Sequence, residues 1–177
     1  SQFYWRKCDM DQSNKYRIRQ ANSCDALHLL DCYDSANHLF GLHERANGDL
    51  QTFTELLKTD CVFLLENEGV ILGWISYRIL TDCILLSGLY VRKENQRIGI
   101  GQRLFDFMIN ETRGMRLPLC LAKVLKNAPW AVSFYQKNEF LFLESDANKP
   151  IQKYVLGIVE ENGITQRPWS YVLYKML

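Results

Sequence analysis

The chain alternates between two hydrophobic periods. Tyr16-Arg-Ile-Arg-Gln-Ala21 alternates apolar and polar side chains and predicts a first strand. From Asp25 to Phe40 the positions Leu29/Leu30, Tyr33, Ala36/Asn37 and Phe40 recur at helical spacing, with Ser23 as the candidate cap. Gly41 to Gly48 is a polar break, and Asp49–Thr59 repeats Leu50, Phe53 and Leu56/Leu57, a second helix. Cys61–Glu66 and Val70–Leu80 read as strands around the turn Asn67-Glu-Gly69, followed by a long apolar strand over Asp82–Arg92. Gly101–Arg113 carries Leu104/Phe105 and Met108/Ile109 on one stripe, a third helix. Leu117–Leu125 is a strand, Ala128–Asn138 a helix, and Phe140–Leu143 and Ser170–Leu177 are the last two strands. Residues 144–168 exceed the needs of a tight hairpin. Ile151–Val159 there is apolar and β-prone, so an extra strand or lengthened hairpin arm is expected, closed by the turn Glu161-Asn-Gly163; an irregular loop is the alternative.

Composition narrows the class without naming a chemistry. At 177 residues, one domain spanning 1–177 is the expectation. Hydrophobic content of 47% and charged content of 23% are those of an ordinary globular chain. A net charge of +1 gives no global attraction to nucleic acid or to an acidic membrane surface, and no apolar run approaches a membrane span. The six cysteines contain no Cys-x-x-Cys pair and several lie in apolar runs, such as Cys61-Val-Phe-Leu-Leu65. They read as buried free thiols in a reducing compartment, hence a cytoplasmic protein. Cys24, His28 and Cys32 share a helix face, but no fourth ligand accompanies them, so packing is the reading and no metal is expected.

The most informative stretch is Leu89-Tyr-Val-Arg-Lys-Glu-Asn-Gln-Arg-Ile-Gly-Ile-Gly-Gln-Arg-Leu104. A strand enters a basic, glycine-bearing turn that opens directly into a helix. The first N–H groups of a helix lack intrahelical partners and sit at the positive end of its dipole, which suits a phosphate. Gly99 and Gly101 permit a sharp turn and close approach of an anion, and Arg97 and Arg103 offer charge-assisted hydrogen bonds. The dinucleotide fingerprint fails because Leu104 stands where its third glycine belongs. The P-loop fails because Gln102-Arg103 follows the second glycine.

Gln96-Arg97-Ile98-Gly99-Ile100-Gly101 instead fits Gln/Arg-x-x-Gly-x-Gly/Ala, and here the chain resembles the GCN5-related N-acetyltransferases, the GNAT superfamily. A second segment, Asn127-Ala-Pro-Trp-Ala-Val-Ser-Phe-Tyr-Gln-Lys-Asn-Glu-Phe140, resembles that family's second motif through Asn127, Ala131 and Tyr135. It departs at Glu139, where the family usually has glycine, and a looser helix exit is expected there. The resemblance covers residues 60–143. It implies a twisted mixed α/β sheet of about seven strands with helices on both faces, and acetyl-coenzyme A as co-substrate.

It also implies roles. Residues Gln96 to Gln102 hold the pyrophosphate, and the backbone of Leu89, Tyr90 and Val91 pairs with the pantetheine arm and polarises the thioester. Arg92, Lys93, Arg97 and Arg103 are candidates for the adenosine 3′-phosphate. Tyr135 is the candidate general acid for the departing thiolate, with helix packing as the alternative. Asn127 contacts the cofactor or caps its helix. Histone-type members carry a glutamate on the long strand where Leu85 stands here, so ordered water, polarised by Ser87 or a backbone carbonyl, is expected to deprotonate the amine. Glu44, Glu66 and Glu68 are the remaining candidates for the base, and His38 and His43, at the family's usual acceptor wall, are candidates for lining that pocket, with a surface position as the alternative for all five. The acceptor is expected to be a small primary amine, with a protein amine or a non-catalytic acyl-coenzyme A sensor as alternatives. In many members the end of the sheet near residues 144–168 serves a dimer interface or the acceptor pocket, so a homodimer is a candidate assembly.

Overall fold

The computed structural model describes residues 15–37, 49–144 and 149–177. The expected polar break, with Phe40, His38, His43 and Glu44, lies outside them, as does Cys8. Seven strands, β1 (Tyr16–Gln20), β2 (Cys61–Asn67), β3 (Val70–Leu80), β4 (Cys83–Val91), β5 (Leu119–Leu125), β6 (Leu141–Phe142) and β7 (Ser170–Met176), form one open sheet. Its order is β1-β2-β3-β4-β5-β7-β6. Among the described residues five α-helices accompany it: α1 (Ala26–Ala36), α2 (Leu50–Thr59), α3 (Ile100–Thr112), α4 (Pro129–Lys137) and α5 (Pro150–Glu161). Among the described residues no helix is long and apolar enough to cross a membrane. The chain divides into two compact units, one within Ser1–Ser76 and Leu89–Met108, the other within Tyr77–Gly88 and Ile109–Leu177.

In the first unit, side-chain alternation along β2 decides which helix covers which face. Val62 and Leu64 join Leu29, Tyr33, Phe53, Ile71 and Trp74 in a core under α1 and α2. Phe63, between them, turns to the other face and meets Phe107 of α3, ring centroids 4.8 Å apart. Trp74 donates its indole N–H to the Leu29 carbonyl at 3.1 Å, so the ring is buried without an orphaned donor. A 3₁₀ turn, Ser23–Asp25, leads into α1, whose own cap position is Asp25. Asn22, not Ser23, caps that turn: its side chain accepts from the Cys24 N–H at 2.9 Å, while Asp25 accepts from the Asn22 N–H at 2.8 Å. Ser23 falls inside the first 3₁₀ turn. Arg19 grips the Asp25 carboxylate with two bonds of 2.9 Å and holds it below the usual carboxylate range.

In the second unit β5 runs parallel to β4 and antiparallel to β7. The expected extra strand at Ile151–Val159 is instead helix α5. Pro150 occupies the first helical turn, and Gln152, Val155, Ile158 and Val159 form a buried stripe at helical spacing. The β-branched residues there pack against Leu119, Leu121, Leu143 and Val172, so burial overrides their strand propensity. The turn at Glu161–Gly163 is the exit of that helix, with Gly163 at φ 64°. Asn162 then bridges the backbone of Thr81, accepting from its N–H at 3.2 Å and donating to its carbonyl at 3.0 Å. The cysteines are mixed: Cys32, Cys83 and Cys120 are buried as expected, whereas Cys24 and Cys61 are exposed. Cys61 is the first residue of β2.

Candidate active site

The turn between β4 and α3 is built from backbone. After Val91 the chain passes through a 3₁₀ turn, Lys93–Asn95, and reaches α3 through Gln96–Gly99. Gln96 folds back and donates its side-chain amide to the Val91 carbonyl at 3.0 Å, tying the turn to the strand it leaves. Arg97 (φ 64°) and Gly99 (φ 90°) are both left-handed. Gly99 adopts this freely, whereas Arg97 pays about 1 kcal/mol for it. Such left-handed residues gather N–H groups toward one anion-binding concavity. Gly99 precedes the helix, its carbonyl accepting from the Arg103 N–H at 3.0 Å. The N–H groups of Ile100, Gly101 and Gln102 therefore point out of the helix end. Arg97, Ile98 and Gly99 are exposed, Ile98 by 59%, so this end faces solvent. Ile100, only 1% exposed, anchors it from below.

The support beneath the turn was not legible from the motif. Gly73 of β3 lets β4 and α3 close in: a Cβ there would lie 2.8 Å from the Tyr90 carbonyl oxygen and 3.2 Å from the Ile100 side chain. Cys32 directs its thiol at the Tyr90 carbonyl at 3.8 Å, and burial pushes that thiol up to about 12. With the Tyr90 carbonyl aimed at this side, strand geometry turns the backbone groups of Leu89 and Val91 to the opposite edge. The four candidate cations separate by environment. Arg92 is committed to the fold: it pairs with Asp31 of α1 and donates its Nε to the Ile71 carbonyl at 2.6 Å. The Arg103 guanidinium lies over the Tyr16 ring, 5.1 Å from its centroid. The side chains of Lys93 and Arg97 make no hydrogen bond or ion pair with a described residue, although the Lys93 N–H is held by Ser35 Oγ at 3.0 Å.

In the second unit, the parallel ladder of β4 and β5 runs from Cys83–Leu119 to Leu86–Ala122 and stops. β5 continues to Leu125 paired with β7 alone. Beyond Leu86, the exposed Ser87 and the buried Gly88 continue β4 past the end of that ladder. A parallel ladder that opens in mid-sheet offers backbone groups to an extended ligand.

Helix α4 carries the second motif. Ala128 is its cap position, with no side-chain cap bond, so Asn127 does not cap the helix. The Asn127 side chain is exposed and makes no hydrogen bond with a described residue. Tyr135 is 7% exposed, its ring set edgewise against Phe134 (5.4 Å) and Phe140 (5.2 Å). The looser exit expected at Glu139 is not what forms. Glu139 takes the left-handed conformation (φ 65°) that the usual glycine would take, and Phe140 closes back on the Tyr135 carbonyl at 3.0 Å. Lys175 holds the Glu139 carboxylate at 2.6 Å.

The remaining candidates resolve by their partners. Glu66 accepts from Arg19 at 3.0 Å and lies 3.8 Å from Arg17, an ion pair of the β1–β2 ladder rather than a base. Glu68 occupies the exposed β2–β3 turn at φ 50°. Leu85 is half-buried on β4. Cys24 and His28 are exposed while Cys32 is buried, and among the described residues no three His, Cys, Asp or Glu side chains gather as a metal-holding group.

Comparison with known proteins agrees with this geometry. The family model for a GNAT acetyltransferase domain matches residues 58–140. No curated protein sequence matches the chain. The fold is similar to that of the PaiA N-acetyltransferase from Thermoplasma acidophilum solved with coenzyme A, at TM-score 0.71 and 14% identity over 92% of this chain and 99% of that one. The ribosomal-protein-S18-alanine N-acetyltransferase of Escherichia coli gives TM-score 0.66 and 15% identity over 91% and 93%. N-acetylglutamate synthase of Neisseria gonorrhoeae, complexed with coenzyme A and N-acetyl-glutamate, gives 0.64 and 19% over 92% of this chain and 35% of that one. Both motifs lie in order within the matched segment, so residues 58–140 carry a GNAT acetyltransferase domain, on a sheet shared with these structures.

Proposed function

We propose that the protein transfers the acetyl group of acetyl-coenzyme A directly to a primary amine within a ternary complex. The observation that carries this reading is the exposed N-terminus of α3 behind two left-handed residues, in a chain that carries this domain. That end fits a pyrophosphate: convergent N–H groups, no Cβ at Gly99, and the unengaged cations Arg97 and Lys93 beside it. Residues Gln96 to Gln102 then hold the phosphates, the backbone of Leu89 and Val91 pairs with the pantetheine arm, and Asn127 gives its free amide to the cofactor. Arg92 drops out, being spent on Asp31 and Ile71.

In the transfer, the amine lone pair attacks the thioester carbonyl carbon, the C–S bond breaks, and the sulfur needs a proton. Tyr135 supplies it from its phenol, and the proton lost by the amine passes through water polarised by Ser87. Packing of the Tyr135 ring fixes its position, so the structural and catalytic roles are compatible. The acceptor is a small-molecule amine in this reading. Protein amines are the alternative, since the similar folds include an enzyme named for the alanine of a ribosomal protein.

Calorimetric titration with acetyl-coenzyme A, with NADH and ATP as controls, tests the proposal. Selective binding of acetyl-coenzyme A is expected, followed by amine-dependent thiol release. Equal binding of all three, or none, refutes it. Retained binding without turnover on any amine, unaffected by Tyr135→Phe, identifies a sensor instead.

A further inference from the structure

We propose that the second unit carries a carboxylate pocket for the acceptor, so that the acetylated amine is an acid-bearing one, of the amino-acid type. This rests on the acetyl-transfer reading above. A cavity of about 560 Å³ opens where the C-terminal end of β5 meets the start of β7 and the end of β6. Its frame is backbone. The Lys126 N–H donates to the Trp169 carbonyl at 3.0 Å, and the Ser170 N–H donates to the Arg167 carbonyl at 3.0 Å. These bonds fix residues 126 and 167–170 whatever their side chains do.

Two cations line that frame. Lys126 Nζ lies 5.2 Å from the centroid of the Tyr171 ring, and the Arg167 guanidinium lies 5.8 Å from that of Trp169. Aromatic faces orient a cation without neutralising it. Neither Lys126 nor Arg167 forms an ion pair with a described residue. Elsewhere in the chain lysines do find carboxylates, as the exposed Lys58 does at Glu55 and the half-buried Lys175 at Glu139. Glu144 also lines the cavity, leaving two cations against one carboxylate. Its N–H is held by Gln152 Oε1 at 3.0 Å, and its own carboxylate pairs with neither cation.

A planar fork and a point charge lining one concave frame suit one carboxylate. The place suits an acceptor. Lys126 immediately precedes Asn127, and the same connection leads into α4 and Tyr135. The phosphates of coenzyme A share the anionic chemistry, and the test separates the two sources.

The full chain is titrated with N-acetylglycine and with N-acetylglycinamide, which differ only in the carboxylate, and in parallel with acetyl-coenzyme A. The acid is expected to bind about ten- to hundredfold more tightly than the amide. Lys126→Gln/Arg167→Gln, two exposed positions, is expected to abolish that preference while leaving acetyl-coenzyme A affinity unchanged. In turnover, the same variant raises KM for amino acids and not for their amides. Equal binding of acid and amide, binding of neither, or a preference that survives the double substitution overturns the proposal. So does loss of acetyl-coenzyme A affinity in the variant, which assigns the cations to the cofactor. Failure of the wild-type protein to bind acetyl-coenzyme A overturns the transfer reading, while the acid–amide comparison, which uses no cofactor, still decides the pocket.

Discussion

The turn before α3 and the helix α4 carry the two motifs of this family by opposite means. At the turn the useful groups are backbone N–H groups, and the side chains mostly brace them: Gln96 ties Val91, Arg92 ties Asp31 and Ile71, and Gly73 admits the Tyr90 carbonyl. At α4 the proposed groups are side chains, Tyr135 on a helix opened by Pro129 and Asn127 just before it. A site made of backbone tolerates side-chain exchange until a residue changes the path of the chain. A role proposed for one phenol is tested by removal of one oxygen.

The sharpest break of that contrast is Tyr135→Phe. It keeps the ring that packs on Phe134 and Phe140 and removes only the hydroxyl. We expect kcat to fall about a hundredfold or more, with acetyl-coenzyme A affinity unchanged by calorimetry. An unchanged kcat makes Tyr135 purely structural.

Next in size is Gly99→Val. At φ 90° a β-branched residue is strained by about 1–3 kcal/mol, which the fold either absorbs as lost stability or relieves by moving the turn. Acetyl-coenzyme A affinity is expected to fall about tenfold, with no separate effect on kcat at saturation. Full affinity in this variant shows that the turn does not hold the cofactor.

Arg92→Gln and Arg97→Gln, five residues apart, should dissociate. Arg92→Gln strips the buried Ile71 carbonyl of its donor and is expected to cost about 1 kcal/mol in urea unfolding, with cofactor affinity falling only as far as stability does. Arg97→Gln is expected to leave the urea midpoint in place and weaken acetyl-coenzyme A about fivefold, more at low salt. The reverse pattern exchanges the bracing and binding roles.

The smallest effect is expected from Glu139→Gly. It relieves a left-handed glutamate and loses an exposed ion pair, which contributes little. A slight rise in Tm with unchanged turnover is the expected result. A clear fall would show that Lys175 and Glu139 matter more than the backbone.

Both motifs could be read from sequence because each is local. Gln96-Arg-Ile-Gly-Ile-Gly101 fixes a turn and a helix start within six residues, and the Asn127–Phe140 spacing places Ala131 and Tyr135 on one helix. Strand and helix periods likewise gave the order of elements up to Leu143. The miss at Ile151–Val159 has a definite cause. Isoleucine and valine favour strands on propensity, but Gln152, Val155, Ile158 and Val159 recur at helical spacing against a sheet face that only long-range pairing creates.

By itself, then, the sequence pointed to the acetyltransferase domain, the glycine-bearing turn at a helix start and the tyrosine on its helix, because these patterns lie within one turn of chain. Only the tertiary structure decided which arginine is spent on bracing, that Gly73 rather than a motif glycine admits the Tyr90 carbonyl, and that Glu66 belongs to Arg19. It alone brought Lys126 and Arg167 to one cavity across forty residues of chain. Partners so far apart meet only when strands pair, and no local pattern records a meeting that strand register imposes.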